Sequence, residues 1–164
     1  MTYQAGPDCI NLIKKYVPCK LRAYSVGQIR IGYNTIGSLV KEVTGKSITD
    51  KTELKDEQEA TNILKEVLNK KYVPHTTNAI NSNNKFGKFT QKEFDALLAY
   101  SYIYDNVAEV LQGSDKTSIG NFIITKGEKY ETVKKAGIGY TFDIVAYGKN
   151  TREAIKNLFE GKSF

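Results

Sequence analysis

Leu12–Tyr24 reads LIKKYVPCKLRAY, and the chain changes its structural pattern within it. Before Pro18, the residues Cys9, Ile10, Leu12, Ile13, Tyr16 and Val17 recur near helical spacing. Pro7 suits the first turn of such a helix, and Pro18 cannot continue it. After Pro18, Leu21 and Ala23, then Ile29, Ile31 and Tyr33, alternate with polar residues, while Gly27 and Asn34 supply turn chemistry. The spacing predicts a helix over 7–17 and a small antiparallel hairpin within 20–36. A valine, Val17, stands where the helix hands over to the sheet.

Further along, GSLVKEVTG is a short connector that reads either as one more strand or as a helical turn ending at Gly45. Asp56 followed by Glu59 has the form of a capping box, and Ala60, Ile63, Leu64, Val67 and Leu68 continue it as a helical stripe. Pro74 is expected to kink or end that helix. A helical segment with Ala79 and Ile80 precedes the breaker run NSNNKFG. Thr90 and Glu93 form a second capping box, opening QKEFDALLAYSYIYDNVAEVLQG. This segment is apolar nearly all round, as expected of the central helix of a helical region, and Gly113 ends it. Residues 117–135 read as one or two shorter helices, and KKAGIGYTFDIVAYGKN as loop or strand. NTREAIKNLFEGK is a final helix, capped by Asn150 or Thr151 and stopped by Gly161.

The expected class is α+β, mostly helical. A single domain over 1–164 divides into a β-containing lobe at 18–60 and a helical lobe of 1–17 plus 75–164, joined by a long helix over 56–73. The 164 residues suffice for one domain with a real core. Lys and Arg number 24 against 18 Asp and Glu, a net +6, which is compatible with polyanions and permits nucleic acid; a solvated lysine-rich surface accounts for it as well. No apolar run approaches the ~18 residues of a membrane span. The opening MTYQAGPD lacks the basic-then-apolar pattern of a secretory signal. Cys9 and Cys19, with the single histidine His75, do not have metal-ligand spacing, so neither a metal site nor a cofactor is expected. Whether the two thiols pair is left open by the spacing.

Four stretches, in order, resemble the phage-type lysozymes of glycoside hydrolase family 24. LIKKYVPCKLRAY is similar to L-I-K-x-F-E-G-x-x-L-x-A-Y, and RIGYNT to the strand T-I-G-x-G-H. TQKEFDALLAYSYIYDN is similar to T-Q-x-Q-F-D-A-L-V-S-F-x-Y-N-x-G, and TREAIKNLFEGK to R-R-x-A-E-x-x-L-F-x-G. The resemblance implies a two-lobed muramidase fold with a peptidoglycan cleft. With no signal pattern in the opening MTYQAGPD, the expected location is a host cytoplasm or a phage particle.

Where the resemblance places catalytic groups, this sequence has others. The general acid that ends the first helix corresponds to Val17, and the glycine after it to Pro18. The turn that carries the second catalytic residue is Tyr24-Ser25-Val26-Gly27, without a carboxylate. The threonine that positions water corresponds to Arg30, and the Gly-His after the strand to Asn34-Thr35. A cleft-facing amide on the later helix corresponds to Ile103, with Asp105 in place of the glycine after it. The arginine that supports the acid corresponds to Thr151, while Arg152 and Glu153 are kept.

A glycosidase of this kind needs a proton donor at the leaving oxygen and a base or ion stabiliser across the sugar, and valine can do neither. Each general acid or base contributes about 10²–10⁴-fold. The reading is therefore a lysozyme-like protein that has lost its muramidase activity and acts in binding or assembly. Its ligand would be peptidoglycan or another anionic glycan, with Arg30, Tyr24, Tyr33, Asn34, Ile103 and Asp105 as binding candidates. One alternative is an active hydrolase with relocated carboxylates, for which Asp105 and Asp143 are candidates, although each reads more simply as a surface or capping acid. The other is a viral interaction protein that binds a phage or host protein or a small phosphorylated ligand. Tyr100, Tyr102 and Tyr104 read as core or helix-surface residues, since i, i+2 positions do not share a helix face.

Overall fold

A computed structural model describes residues 3–81, 88–104 and 149–164. The chain order is α1 (Pro7–Tyr16), β1 (Lys20–Val26), β2 (Gln28–Gly32), β3 (Thr35–Ile36), α2 (Gly37–Thr44) and α3 (Glu57–Val67). A π turn (Leu68–Tyr72), α4 (Val73–Asn81), α5 (Gln91–Tyr104) and α6 (Lys149–Phe159) follow. The class is mostly helical α+β with one three-stranded antiparallel sheet in the order β1-β2-β3. The expected ends of α5 at Gly113, the helices of 117–135, Asp105 and Asp143 lie outside the described residues.

Helix α1 forms where the apolar spacing predicts it, with Pro7 in its first turn and Val17 as its C-cap, whose N–H donates to the Ile13 carbonyl. Its N-cap is Gly6, which offers no side chain to the orphan N–H groups. That task falls to Asp95, far away on α5: its Oδ1 accepts from Gly6 N–H at 2.8 Å and from Gln91 Nε2 at 2.8 Å.

Strands β1 and β2 pair with Tyr24 opposite Arg30 and Val26 opposite Gln28, around a left-handed Gly27. An irregularity in register lies between Lys20 and Tyr24. Strand β3 returns after Asn34, with Arg30 opposite Ile36. The other edge of β1 is covered by the loop at 52–54, through Ala23 N–H to the Thr52 carbonyl and Leu54 N–H to the Leu21 carbonyl.

GSLVKEVTG resolves as helix: Val40 and Val43 bury one face of α2, and Gly45 at φ +79° ends it. Lys70 donates to the Val43 carbonyl at 2.9 Å and Lys71 pairs with Glu42, so cations meet the negative end of this helix. Asp56 caps α3 by accepting from Glu59 N–H at 2.9 Å, but Glu59 reaches back to Lys55 N–H rather than to Asp56.

Of the two outcomes expected of Pro74, a kink or an end, the end does not occur: the helical run continues through it. The π turn before it shifts the ladder, so that Val73 N–H reaches the Leu68 carbonyl. Pro74 then falls in the first turn of α4, where its missing N–H costs little.

Every residue of α5 from Glu93 to Ser101 is buried, as expected of a central helix. It packs against α1, α4, the π turn and α6. Thr90 and Glu93 cap it reciprocally, at 2.9 Å from Thr90 N–H to Glu93 Oε1 and 3.2 Å from Glu93 N–H to Thr90 Oγ1. Helix α6 includes Asn150 and Thr151 within its first turn rather than before it. It closes at Gly161 (φ +78°), with Lys162 N–H donating to the Asn157 carbonyl and Gly161 N–H to the Leu158 carbonyl. One core runs through both parts, from Val17, Ala23 and Ile31 to Leu98 and Leu158.

Candidate functional site

Antiparallel pairing sets the site. Tyr24 and Arg30 are directly opposite on β1 and β2, so their side chains share one face of the sheet, and Ile36, opposite Arg30 on β3, shares it too. Lys20 joins this face, its ammonium 5.6 Å from the centre of the Tyr24 ring. Asn34 closes the turn at φ +59°, the one non-glycine residue with positive φ among the described residues.

Three side chains are locked in sequence. Tyr24 Oη donates to Asn34 Oδ1 at 2.7 Å, and Arg30 Nη1 donates to the Asn34 carbonyl at 3.1 Å. Arg30 is half-buried and has no carboxylate within ion-pair distance among the described residues.

Helix α5 brings Tyr102 up to the same turn. Its hydroxyl lies 2.8 Å from Thr35 Oγ1 and donates to the Tyr33 carbonyl. Burial pushes the Tyr102 phenol well above its ordinary value, against the hydroxyl of Thr35 and the charge of Arg30, so it stays a donor throughout the working range. The Tyr72 ring packs edge-on against Tyr102, with centroids 5.1 Å apart. Tyr102 and Tyr72 were not among the sequence candidates. The only local signal for Tyr102 is its place beside Ile103, and its bonds are with residues 67 and 69 positions away.

The remaining candidates divide. Val17 is only 4 % exposed and belongs to the core. Ser25 and Val26 are exposed at the hairpin tip, Val26 at 66 % being the one large apolar residue so exposed among the described residues. Ile103 is half-buried against the core. Tyr33 offers no ring face to a ligand, because it is buried in the core and its hydroxyl donates to Glu57 Oε1 at 2.7 Å. Burial, then that bond to Glu57, holds the Tyr33 phenol above its usual value. Thr151 is buried on α6.

Cys9 is buried and His75 exposed, so these two do not form a nucleophile–base pair. Burial, then the Asp95 charge, raises the Cys9 thiol well above its ordinary value. Cys19 is half-buried and, like Cys9, free. Among the described residues no group of three His, Cys, Asp or Glu side chains could hold a metal ion. None of their helices is long and apolar enough to cross a membrane. A cavity of about 390 Å³ opens beside the sheet, lined by Gln28, Ile29, Ile36, Lys41, Ser47 and Ile48.

No protein-family model matches this sequence, and no curated protein matches it. Solved structures do. A mutant of P22 lysozyme matches with a TM-score of 0.64 at 19 % identity, over 97 % of this chain and 99 % of that one. The muramidase domain of SpmX from Asticaccaulis excentricus matches at 0.62 and 17 %, over 96 % and 97 %. The endolysin from Escherichia coli O157:H7 phage FAHEc1 matches at 0.54 and 20 %, over 95 % and 92 %. The chain therefore has the lysozyme-like fold over nearly its whole length.

Proposed function

We propose that this is a non-catalytic lysozyme-fold protein that binds peptidoglycan or a related glycan on the face carrying Tyr24, Arg30 and Asn34. The observation that carries the reading is Val17. The resemblance puts the proton donor at the end of the first helix, and a buried valine caps α1 there. Across the sheet face the side chains are phenol, guanidinium, amide and ammonium, which bind but cannot act as a carboxylate pair. Tyrosine faces and amide groups suit sugar rings and their hydroxyls.

The test uses the purified full chain. At high concentration it should leave a peptidoglycan suspension turbid, while soluble peptidoglycan fragments raise its melting temperature, as binding to the folded state alone requires. Clearing of the suspension would overturn the reading, and so would the absence of any binding to whole peptidoglycan.

A further inference from the structure

We infer that Arg30 is an anion-reading residue: it takes one carboxylate or phosphate group of the ligand, and so makes the site selective for acidic over neutral glycans. This rests on the glycan-binding reading above and specifies its ligand.

Arg30 is half-buried on β2, and the one hydrogen bond the structure gives it goes to a main-chain carbonyl, that of Asn34. A guanidinium presents a planar fork of five N–H donors, and withdrawing it from water without a counter-charge is costly. No carboxylate among the described residues meets it within ion-pair distance. Among the described residues nothing else meets the fork, which leaves its remaining donors for a ligand.

The fork is also held in place. Nη1 is fixed by the Asn34 carbonyl, and the Asn34 side chain is fixed in turn by Tyr24 Oη at 2.7 Å. Asn34 sits in the left-handed region at φ +59°, which asparagine adopts readily in a turn, so the turn that presents its carbonyl is built locally. A planar fork held this way matches the two oxygens of a carboxylate or phosphate, where a lysine would offer only a point charge. Lys20, beside Tyr24 on the same face, adds positive potential without competing for the fork.

The experiment titrates three probes into the full chain by calorimetry: N-acetylglucosamine, N-acetylmuramic acid and glycerol phosphate. The two sugars differ by a carboxylate-bearing ether, and the third carries a phosphate without a sugar ring. At least one anionic probe should bind about ten-fold or more tighter than the neutral sugar, the weight of one charge-assisted hydrogen bond. Tighter binding of the muramic acid assigns the carboxylate, and tighter binding of glycerol phosphate the phosphate. R30Q should bring the anion down to the level of the neutral sugar, and R30K should keep only part of the preference. If R30Q fails to fold, R30K against the unaltered protein carries the comparison.

Equal binding of all three probes would overturn the inference, as would a preference that survives R30Q. If whole peptidoglycan binds but no probe shows an anion preference, this inference falls and the glycan-binding reading stands. If whole peptidoglycan does not bind either, both fall.

Discussion

Tyr102 Oη stands 2.8 Å from Thr35 Oγ1 and donates its proton to the Tyr33 carbonyl, leaving Thr35 to donate in return. One phenol thus ties the last turn of α5 to the turn before β3, beside Arg30 and Asn34. Tyr102→Phe keeps the ring, and with it the edge-on packing on Tyr72, but strands a carbonyl and a hydroxyl. The cost should be about 1–3 kcal/mol, read from the shift in urea midpoint at unchanged m-value. Amide exchange at Thr35 and Ile36 should quicken more than exchange in α1. A midpoint within error of the unaltered protein would show that this bond does not hold the two parts together.

Asp95 gives a pH signature. Burial pushes its carboxyl above the usual carboxylate value, against the pull of Gly6 N–H, the Gln91 amide and Cys9 N–H. The folded protein therefore keeps this proton to higher pH than the unfolded chain does. The stability it contributes is complete below the unfolded value and is lost as pH rises through the folded one. Asp95→Asn takes no part in that loss. Its stability relative to the unaltered protein should rise with pH across this window and level off above it. Denaturation curves at stepped pH measure the difference, and a flat one would refute the assignment.

Two glycines should fail for different reasons. A Cβ on Gly6 would lie 2.3 Å from Asp95 Oδ2, inside the buried cap of α1. Gly161 has open space around its Cβ but φ +78°. Gly6→Ala should cost upwards of about 2 kcal/mol through steric conflict. Gly161→Ala should cost about 1 kcal/mol through left-handed strain. In an Asp95→Ala background the Gly6→Ala penalty should shrink, while the Gly161→Ala penalty should not move. Thermal melting of the unaltered protein and the five variants supplies both comparisons.

What the sequence revealed was local. Pro7, Pro18 and the apolar spacing between them define α1; Gly27 and Asn34 mark the turns of the sheet; Thr90 with Glu93 opens α5. Each signal lies within a few residues of what it specifies. GSLVKEVTG reads both ways because nine residues carry too little periodicity to separate a turn of helix from a strand. Pro74 does not end its helical run because a π turn before it absorbs the missing N–H, and nothing in the sequence marks that turn. The parts of the site that no pattern announced are long-range: Asp95 reaches Gly6 over 89 positions, and Tyr102 reaches Thr35 over 67. Position 17 stood out for the opposite reason, since a family pattern shows an absence that hydrophobic spacing alone would read as ordinary core.

That absence sets the most direct test, Val17→Glu. Val17 is packed in the core at the end of α1, with a C-cap N–H committed to Ile13. A glutamate there would be forced into apolar surroundings, and burial would raise its carboxyl above the usual range. At neutral pH the variant should lose about 3 kcal/mol, as expected for an uncompensated buried charge. Because its folded pKa lies above the unfolded one, the penalty should fade as pH drops below that raised value. The variant should not clear peptidoglycan. Ser25, Val26 and Arg30 provide no group to activate water, and Thr151, where the resemblance expects a supporting arginine, is buried and uncharged. Turbidity clearing and denaturation of the same preparation separate the two effects. Clearing by this single variant would mean that an acid at the end of α1 is enough for lysis, whatever stands at Ser25, Val26, Arg30 and Thr151.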